Sequence, residues 1–172
     1  MELLEAMKAF RSVRKYKNIP IPEEKLKNVL NAVRLAPSTE NRQPWKFLIL
    51  RDDEKKRKLA TACSPHKFIQ EAPMIIVGCA LPDDAYPTLG SYMCSYPVDM
   101  GSAFSHLILA ATSEGLGTCM IYNFSEDRVK GVLGLDRDVK IVGITPLGFP
   151  AEEPAPVDRK HINDIICYDE FK

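Results

Sequence analysis

The sequence predicts one mixed domain in which helices and strands are interleaved, and three observations carry that expectation. Its 172 residues are 45% hydrophobic, enough for one full core and too few for two. Three apolar runs, Phe47-Leu48-Ile49-Leu50, Met74-Ile75-Ile76-Val77-Gly78-Cys79 and Val139 to Leu147, read as buried strands. Between them lie segments whose apolar residues recur at helical spacing.

After Pro20-Ile21-Pro22, Glu23 and Glu24 suit a helix N-terminus, and Leu26, Val29, Leu30 and Val33 follow until Pro37 ends the run. The charged stretch Asp52 to Lys58 opens an exposed helix. Residues 81–97, with four Pro or Gly breakers and Tyr86, Tyr92 and Tyr96, read as a long loop, which in a compact domain carries function more often than not; a lid is one use. From Asp99 to Glu114, Met100, Ala103, Phe104, Leu107, Ile108 and Ala111 cover much of a helix circumference, so this helix is packed on several sides or against a second copy. Gly115-Leu116-Gly117 stops it, Thr118 to Tyr122 reads as a short strand, and Ser125 caps a helix through Val132 and Leu133.

The last stretch changes character. Ala151-Glu152-Glu153-Pro154-Ala155-Pro156 is extended and polar, yet Ile162, Ile165, Ile166, Tyr168 and Phe171 follow with no chain left to cover them. The expectation is that the tail wraps over a neighbour, most simply an identical subunit, the alternative being that it folds back on its own domain.

Lys+Arg and Asp+Glu balance at 23 each, so no basic surplus speaks for nucleic acid or an anionic membrane as partner. Acids stand at Glu2 and Glu5 where a secretory signal carries bases, and no apolar run has the roughly 18–20 residues of a membrane helix. The expectation is a cytoplasmic protein. Cys63, Cys79, Cys94, Cys119 and Cys167 are odd in number and scattered, which suggests reduced thiols rather than disulfides or a zinc site. Cys63 and His66 lack a second ligand pair, so no metal is expected. His106 reads as a core or interface residue, Cys79 and Cys119 as small core residues, and Cys94 as a reactive thiol if exposed.

Two segments carry chemistry. Phe10-Arg11-Ser12-Val13-Arg14 sets two guanidiniums and a hydroxyl within four residues, a pattern suited to a phosphate, although a solvated basic segment would look alike. Ala36-Pro37-Ser38-Thr39-Glu40-Asn41-Arg42-Gln43-Pro44-Trp45 packs hydroxyls and amides between two prolines and the single tryptophan, as a site orienting a polar heteroaromatic ligand would.

Together these segments resemble the flavin-binding signature of the FMN-dependent nitroreductase family, and the resemblance runs through nearly the whole chain. Arg-Ser-x-Arg at 11–14, Pro-Ser-x-x-Asn-x-Gln-Pro-Trp at 37–45, Ala72-Pro73 entering a strand, the helix from Asp99, Gly115-Leu116-Gly117-Thr118-Cys119 and Gly148-Phe149-Pro150-Ala151-Glu152-Glu153-Pro154 fall in the family's order.

The resemblance implies a three-layer α+β fold with a central, mostly antiparallel sheet flanked by helices. It further implies one FMN-binding domain over residues 1–172, an intertwined homodimer embraced by the 150–172 tail, and FMN at the subunit interface. Arg11, Ser12 and Arg14, with Arg159 and Lys160 from the tail, would hold the phosphate and ribityl chain. Pro37, Ser38, Thr39, Asn41 and Gln43 would reach the flavin from the other subunit. Ile121, Tyr122 and Asn123 would lie near its reactive N5, where backbone amides stabilise charge.

The implied activity is hydride transfer from NAD(P)H to FMN, followed by reduction of a small electron-poor acceptor, a nitroaromatic, quinone or flavin, in ping-pong order with no essential general acid or base. No G-x-G-x-x-G follows a strand, so NAD(P)H would share the acceptor's pocket. Other flavin chemistry on the same scaffold, flavin cleavage or reductive dehalogenation, and a non-enzymatic FMN carrier are the alternatives. Phe10 replaces a common arginine, Tyr122 and Asn123 replace small residues, and Ser64-Pro65-His66-Lys67 matches poorly. The Tyr122 ring either crowds the substrate face or points away from it.

Overall fold

The computed structural model describes residues 1–63 and 66–171. In chain order the elements are α1 (Leu3–Ala9), α2 (Glu23–Arg34), β1 (Trp45–Leu50), α3 (Asp53–Ala62), β2 (Met74–Ala80), α4 (Tyr96–Ser113), β3 (Gly117–Thr118), α5 (Glu126–Leu133) and β4 (Lys140–Gly148). The strands form one sheet in the order β1-β2-β4-β3, antiparallel at every named pair. The fold is α+β, as expected.

β2 shows why the sheet is the middle of three layers. Successive side chains on a strand point to opposite faces. Met74, Ile76 and Ala80 join the core under α2 and α4, whereas Ile75, Val77 and Cys79 join the core under α3 and α5. Both faces are therefore covered, and all seven residues of β2 are buried. Gly78 makes the closest approach possible: a Cβ there would overlap Phe104 Cζ and stand 2.6 Å from Met100 Cε, so α4 seats an aromatic ring directly on the strand.

Local chemistry explains most boundaries. Asp52 Oδ1 accepts the Lys55 N–H at 2.8 Å and caps α3. Gly134 ends α5 at φ 65°, in the left-handed region that glycine enters freely. Three expectations are corrected. α4 starts at Tyr96 rather than Asp99, because Pro97 falls in its first turn, where a missing N–H costs nothing. Ser125 stands at the N-cap of α5 without a capping side-chain bond. The strand expected over 118–122 is β3 plus a lone bridge between Ile121 and Ile144. The Ser64-Pro65 part of the poorly matching segment lies outside the described residues.

Residues 81–95 form an ordered loop. Leu89 pairs with Met93 across a tight turn, and Tyr86 and Ser95 close its base, the Ser95 N–H donating to the Tyr86 carbonyl at 2.9 Å. His106 is half-buried on α4 beside the Ala32 carbonyl, 3.1 Å from Nδ1. After Pro150 the tail runs exposed, with Ile162 at 59% and Phe171 at 100% exposure, so in the single chain it does not fold its apolar residues into its own core.

Candidate functional site

The basic cluster is built on a stitched backbone. Following α1, the Val13 N–H donates to the Thr118 carbonyl, the Lys17 N–H to the Phe149 carbonyl, and the Ala151 N–H to the Lys15 carbonyl, each at 2.9 Å. Residues 12–17 thus run along β3 and the exit of β4. Gly117 permits this, since a Cβ there would lie 2.8 Å from Val13 Cβ. The Tyr16 hydroxyl donates to the Val13 carbonyl, and burial pushes its phenol far above the ordinary range, so it remains a neutral donor.

On this frame Arg11, Ser12 and Arg159 line one cavity of about 590 Å³ with Leu4, Met7 and Val157. Lys160, the next residue in the tail, is not in that lining. Arg11 also lines a neighbouring cavity of about 750 Å³ that reaches Val13, Lys17, the Gly115–Gly117 turn and Glu152. Its Nη1 donates to the Lys8 and Phe10 carbonyls at 2.8 and 2.7 Å, so part of its guanidinium closes the C-terminus of α1. Arg14 is exposed. Thr118 Oγ1 is buried without a hydrogen-bond partner among the described residues, at the same junction as Ser12.

The Pro37–Gln43 segment is strained. Glu40, Asn41 and Gln43 take φ of 51°, 56° and 49°, left-handed values that cost a non-glycine residue on the order of 1 kcal/mol or more. Side chains hold the turn: Ser38 Oγ accepts the Gln43 N–H at 2.9 Å, and Gln43 Nε2 donates to Asn41 O at 3.0 Å and Oδ1 at 3.1 Å. Thr39 is anchored to Asp99 by its N–H and hydroxyl, at 2.8 and 3.0 Å.

Ile121 is buried and exchanges backbone hydrogen bonds with Ile144, donating at 2.8 Å. Its amide is thereby committed to β4, which leaves Tyr122 and Asn123 as the exposed members of that stretch. Tyr122 is 62% exposed and its ring edge passes over Gly143, 3.1 Å from where a Cβ would stand. The ring therefore lies along the sheet surface.

These groups do not meet in one chain. Trp45, where the strained turn enters β1, pairs with Ala80 and through it with Lys140, while Ser12 bridges Thr118, which pairs with Leu147. The two clusters thus occupy opposite edges and opposite ends of the sheet, roughly 30 Å apart at ordinary strand spacing and rise. A site using both takes them from two chains.

Two residues that position these groups carry little sequence signal. Glu152 sits in a polar proline-rich stretch, and only the structure shows it binding the backbone at Arg14 and Lys15. Asp99 has a faint one, a carboxylate in a helix otherwise apolar over much of its circumference. Among the described residues no group of three or more His, Cys, Asp or Glu could hold a metal, and no helix is long and apolar enough to cross a membrane.

The class these features define is a three-layer α+β protein with a guanidinium-lined pocket at one sheet edge and a polar strained turn at the other. The chain belongs to the nitroreductase family, whose model matches residues 7–68 and 64–149. It is 29% identical to a NADH dehydrogenase of Thermus thermophilus, over 92% of this chain and 91% of the relative. It is 30% identical to an FMN reductase [NAD(P)H] of Bacillus subtilis, over 92% and 70%. The structure of an FMN-dependent nitroreductase of Clostridium difficile superposes with a TM-score of 0.85 at 26% identity, over 98% and 99% of the two chains. An iodotyrosine deiodinase of Thermotoga neapolitana is 22% identical over 98% of both.

Proposed function

We propose that the protein is an FMN-dependent oxidoreductase that takes electrons from NAD(P)H and passes them to a small electron-poor acceptor, working as a homodimer. The observation that carries this reading is the cavity lined by Arg11, Ser12 and Arg159. Planar guanidinium donors and a hydroxyl match a phosphate group. The residues present therefore fit FMN. Bound there, FMN would supply the hydride and electron transfer chemistry.

The chain's own residues bind and orient. Arg11, Ser12, Arg14 and Arg159, with Lys160 nearby, hold the phosphate end. Pro37, Ser38, Thr39, Asn41 and Gln43 of a second copy present hydroxyls and amides to the ring, in keeping with the roughly 30 Å that separates the two clusters in one chain. Tyr122 and Asn123 border the ring face and set which acceptor fits. The exposed apolar residues of the 150–172 tail cover the partner, so residues 1–172 act as one cofactor-binding domain with a dimer-embracing arm. Donor and acceptor share one pocket in turn, which makes the kinetics ping-pong. Cys63, Cys79, Cys94 and Cys119 are free thiols, in keeping with a cytoplasmic setting.

The test is the visible absorption spectrum of the purified protein, followed by anaerobic addition of NADH and NADPH separately. Yellow protein bleached by one nucleotide and restored by a quinone or nitroaromatic supports the reading. Yellow protein that neither nucleotide reduces replaces it with a carrier. Colourless protein that takes up no added FMN rejects it. The deiodinase relative favours one further assay, loss of iodide from a halotyrosine under reducing conditions.

A further inference from the structure

Asp99 is 2% exposed, and both of its oxygens accept hydrogen bonds. Oδ1 accepts the Thr39 N–H and hydroxyl; Oδ2 accepts the Ser95 hydroxyl at 2.7 Å. The Ser95 hydroxyl in turn accepts the Tyr86 N–H at 2.9 Å. One buried carboxylate is therefore the point at which the strained 38–43 turn, the 81–95 loop and α4 are joined. The two loops touch again at Arg42, whose Nη1 donates to the Ala85 carbonyl at 3.3 Å and whose guanidinium lies 5.6 Å from the Tyr86 ring centre.

A carboxylate in the first turn favours the N-terminus of α4, but that role requires neither burial nor the two bonds to Thr39. Its neighbours Met100, Ala103 and Phe104 are fully buried and apolar. A buried carboxylate is costly unless each oxygen is hydrogen-bonded. An apolar residue would pack here without that cost, but the Thr39 N–H and hydroxyl would then lose their acceptor. The turn next to Thr39 needs such a hold, because Glu40 and Gln43 sit in a left-handed backbone region that their side chains disfavour.

We infer that Asp99 is a positioning residue: it fixes Thr39, and with it the turn that faces the flavin, and through Ser95 it couples that turn to the 81–95 loop. The flavin part of this rests on the functional reading above; the holding of the turn does not.

The test compares wild type with Asp99→Ala and Asp99→Asn. In the apoprotein, hydrogen exchange at the Thr39 amide is read against exchange across α4. In the FMN-loaded protein, the FMN dissociation constant and the visible circular dichroism of bound flavin are measured. For Asp99→Ala the expected result is Thr39 exchange and FMN Kd each raised by about tenfold or more, with α4 still protected and the flavin band altered. Asp99→Asn, which keeps one acceptor oxygen for Thr39, returns all three readings to within about threefold of wild type.

Unchanged Thr39 exchange and unchanged Kd in Asp99→Ala overturn the inference. If Asp99→Ala does not fold, Ser95→Ala and Thr39→Val decide. Raised Kd with an altered flavin band in Thr39→Val, and faster exchange in the 81–95 loop in Ser95→Ala, support it; wild-type values in both overturn it. If wild-type protein binds no FMN, the flavin reading falls, and Thr39 exchange alone still decides whether Asp99 holds the turn.

Discussion

Glu152 and Arg14 meet through the backbone: Oε1 of Glu152 accepts the Arg14 N–H at 2.6 Å and the Lys15 N–H at 3.1 Å. The carboxylate therefore pins the first residues of the tail to the basic segment. Hydrogen bonds to a charged acceptor contribute about 1.5–3 kcal/mol where shielded and less where water competes, as it does here. Glu152→Ala is expected to lose about 1–2 kcal/mol of stability and to loosen Arg159, which enters its cavity from the same tail. Thermal melting at fixed protein concentration and FMN titration of the apoprotein check this; an unchanged melting temperature counts against the pinning role.

Arg11 and Arg14 are both assigned to phosphate, but their settings differ. Arg11 lines the cavity and also closes α1, whereas Arg14 is exposed. Arg14→Ala is expected to weaken FMN binding with little change in melting temperature. Arg11→Ala is expected to weaken both. Each lost charge-assisted contact corresponds to about 1.5–3 kcal/mol, or roughly 10- to 100-fold in Kd. Equal FMN affinity in wild type and both variants rejects the phosphate assignment.

How much was legible depended on whether a signal was local. The helices from Glu23 and Asp53 and the strands at Trp45, Met74 and Lys140 announce themselves through period, caps and proline. The Ser12 and Pro37 segments stand out because their residue types are unusual at that density. Glu152 is different: its partners lie more than 130 positions away, and nothing in its neighbourhood marks which of two adjacent glutamates turns inward. The same holds for Asp99, whose partner Thr39 is 60 positions away. The opposite-corner placement of the two clusters follows from strand order, which local pattern does not encode.

Burial holds the thiols of Cys63 and Cys79 at a pKa of about 11. In the unfolded chain they ionise near the ordinary value of about 8.5. Between those values the unfolded state loses protons that the native state keeps. Stability is therefore expected to fall as pH rises from about 8.5 towards 11, by up to about 1.4 kcal/mol per pH unit for each thiol. Urea denaturation of wild type against a Cys63→Ala, Cys79→Ala double variant measures it; parallel pH profiles in the two proteins would remove the thiols as the cause.

Gly78 tests the seat of α4 on the sheet. An added methyl would overlap the Phe104 ring and crowd Met100, and Phe104 is itself wedged edge-on against Phe47 at 5.5 Å between centroids. Gly78→Ala is expected to cost about 1–3 kcal/mol or more, as overpacking does. Phe104→Leu should recover part of that loss in the double variant, giving a non-additive cycle in denaturation midpoints. Additive losses would mean the methyl is accommodated elsewhere.

Tyr122 is where acceptor choice is expected to be set. Its ring lies over Gly143 and is mostly exposed, while burial of the remainder raises its phenol pKa. Proton donation at neutral pH is thus even less available to it than to an ordinary tyrosine, and its contribution is shape. In the proposed site, a ring lying along the sheet surface would narrow the space in front of the ligand, while the proposed phosphate cluster is anchored elsewhere, at Thr118. Tyr122→Gly is therefore expected to change the ratio of kcat/KM between a bulky quinone and a small nitroaromatic by about tenfold, the scale of one hydrophobic contact, while FMN affinity moves little. Tyr122→Phe should leave the ratio as in wild type, since it keeps the ring and removes only the hydroxyl. If Tyr122→Phe shifts the ratio as far as Tyr122→Gly does, the hydroxyl and not the ring is what the acceptor meets.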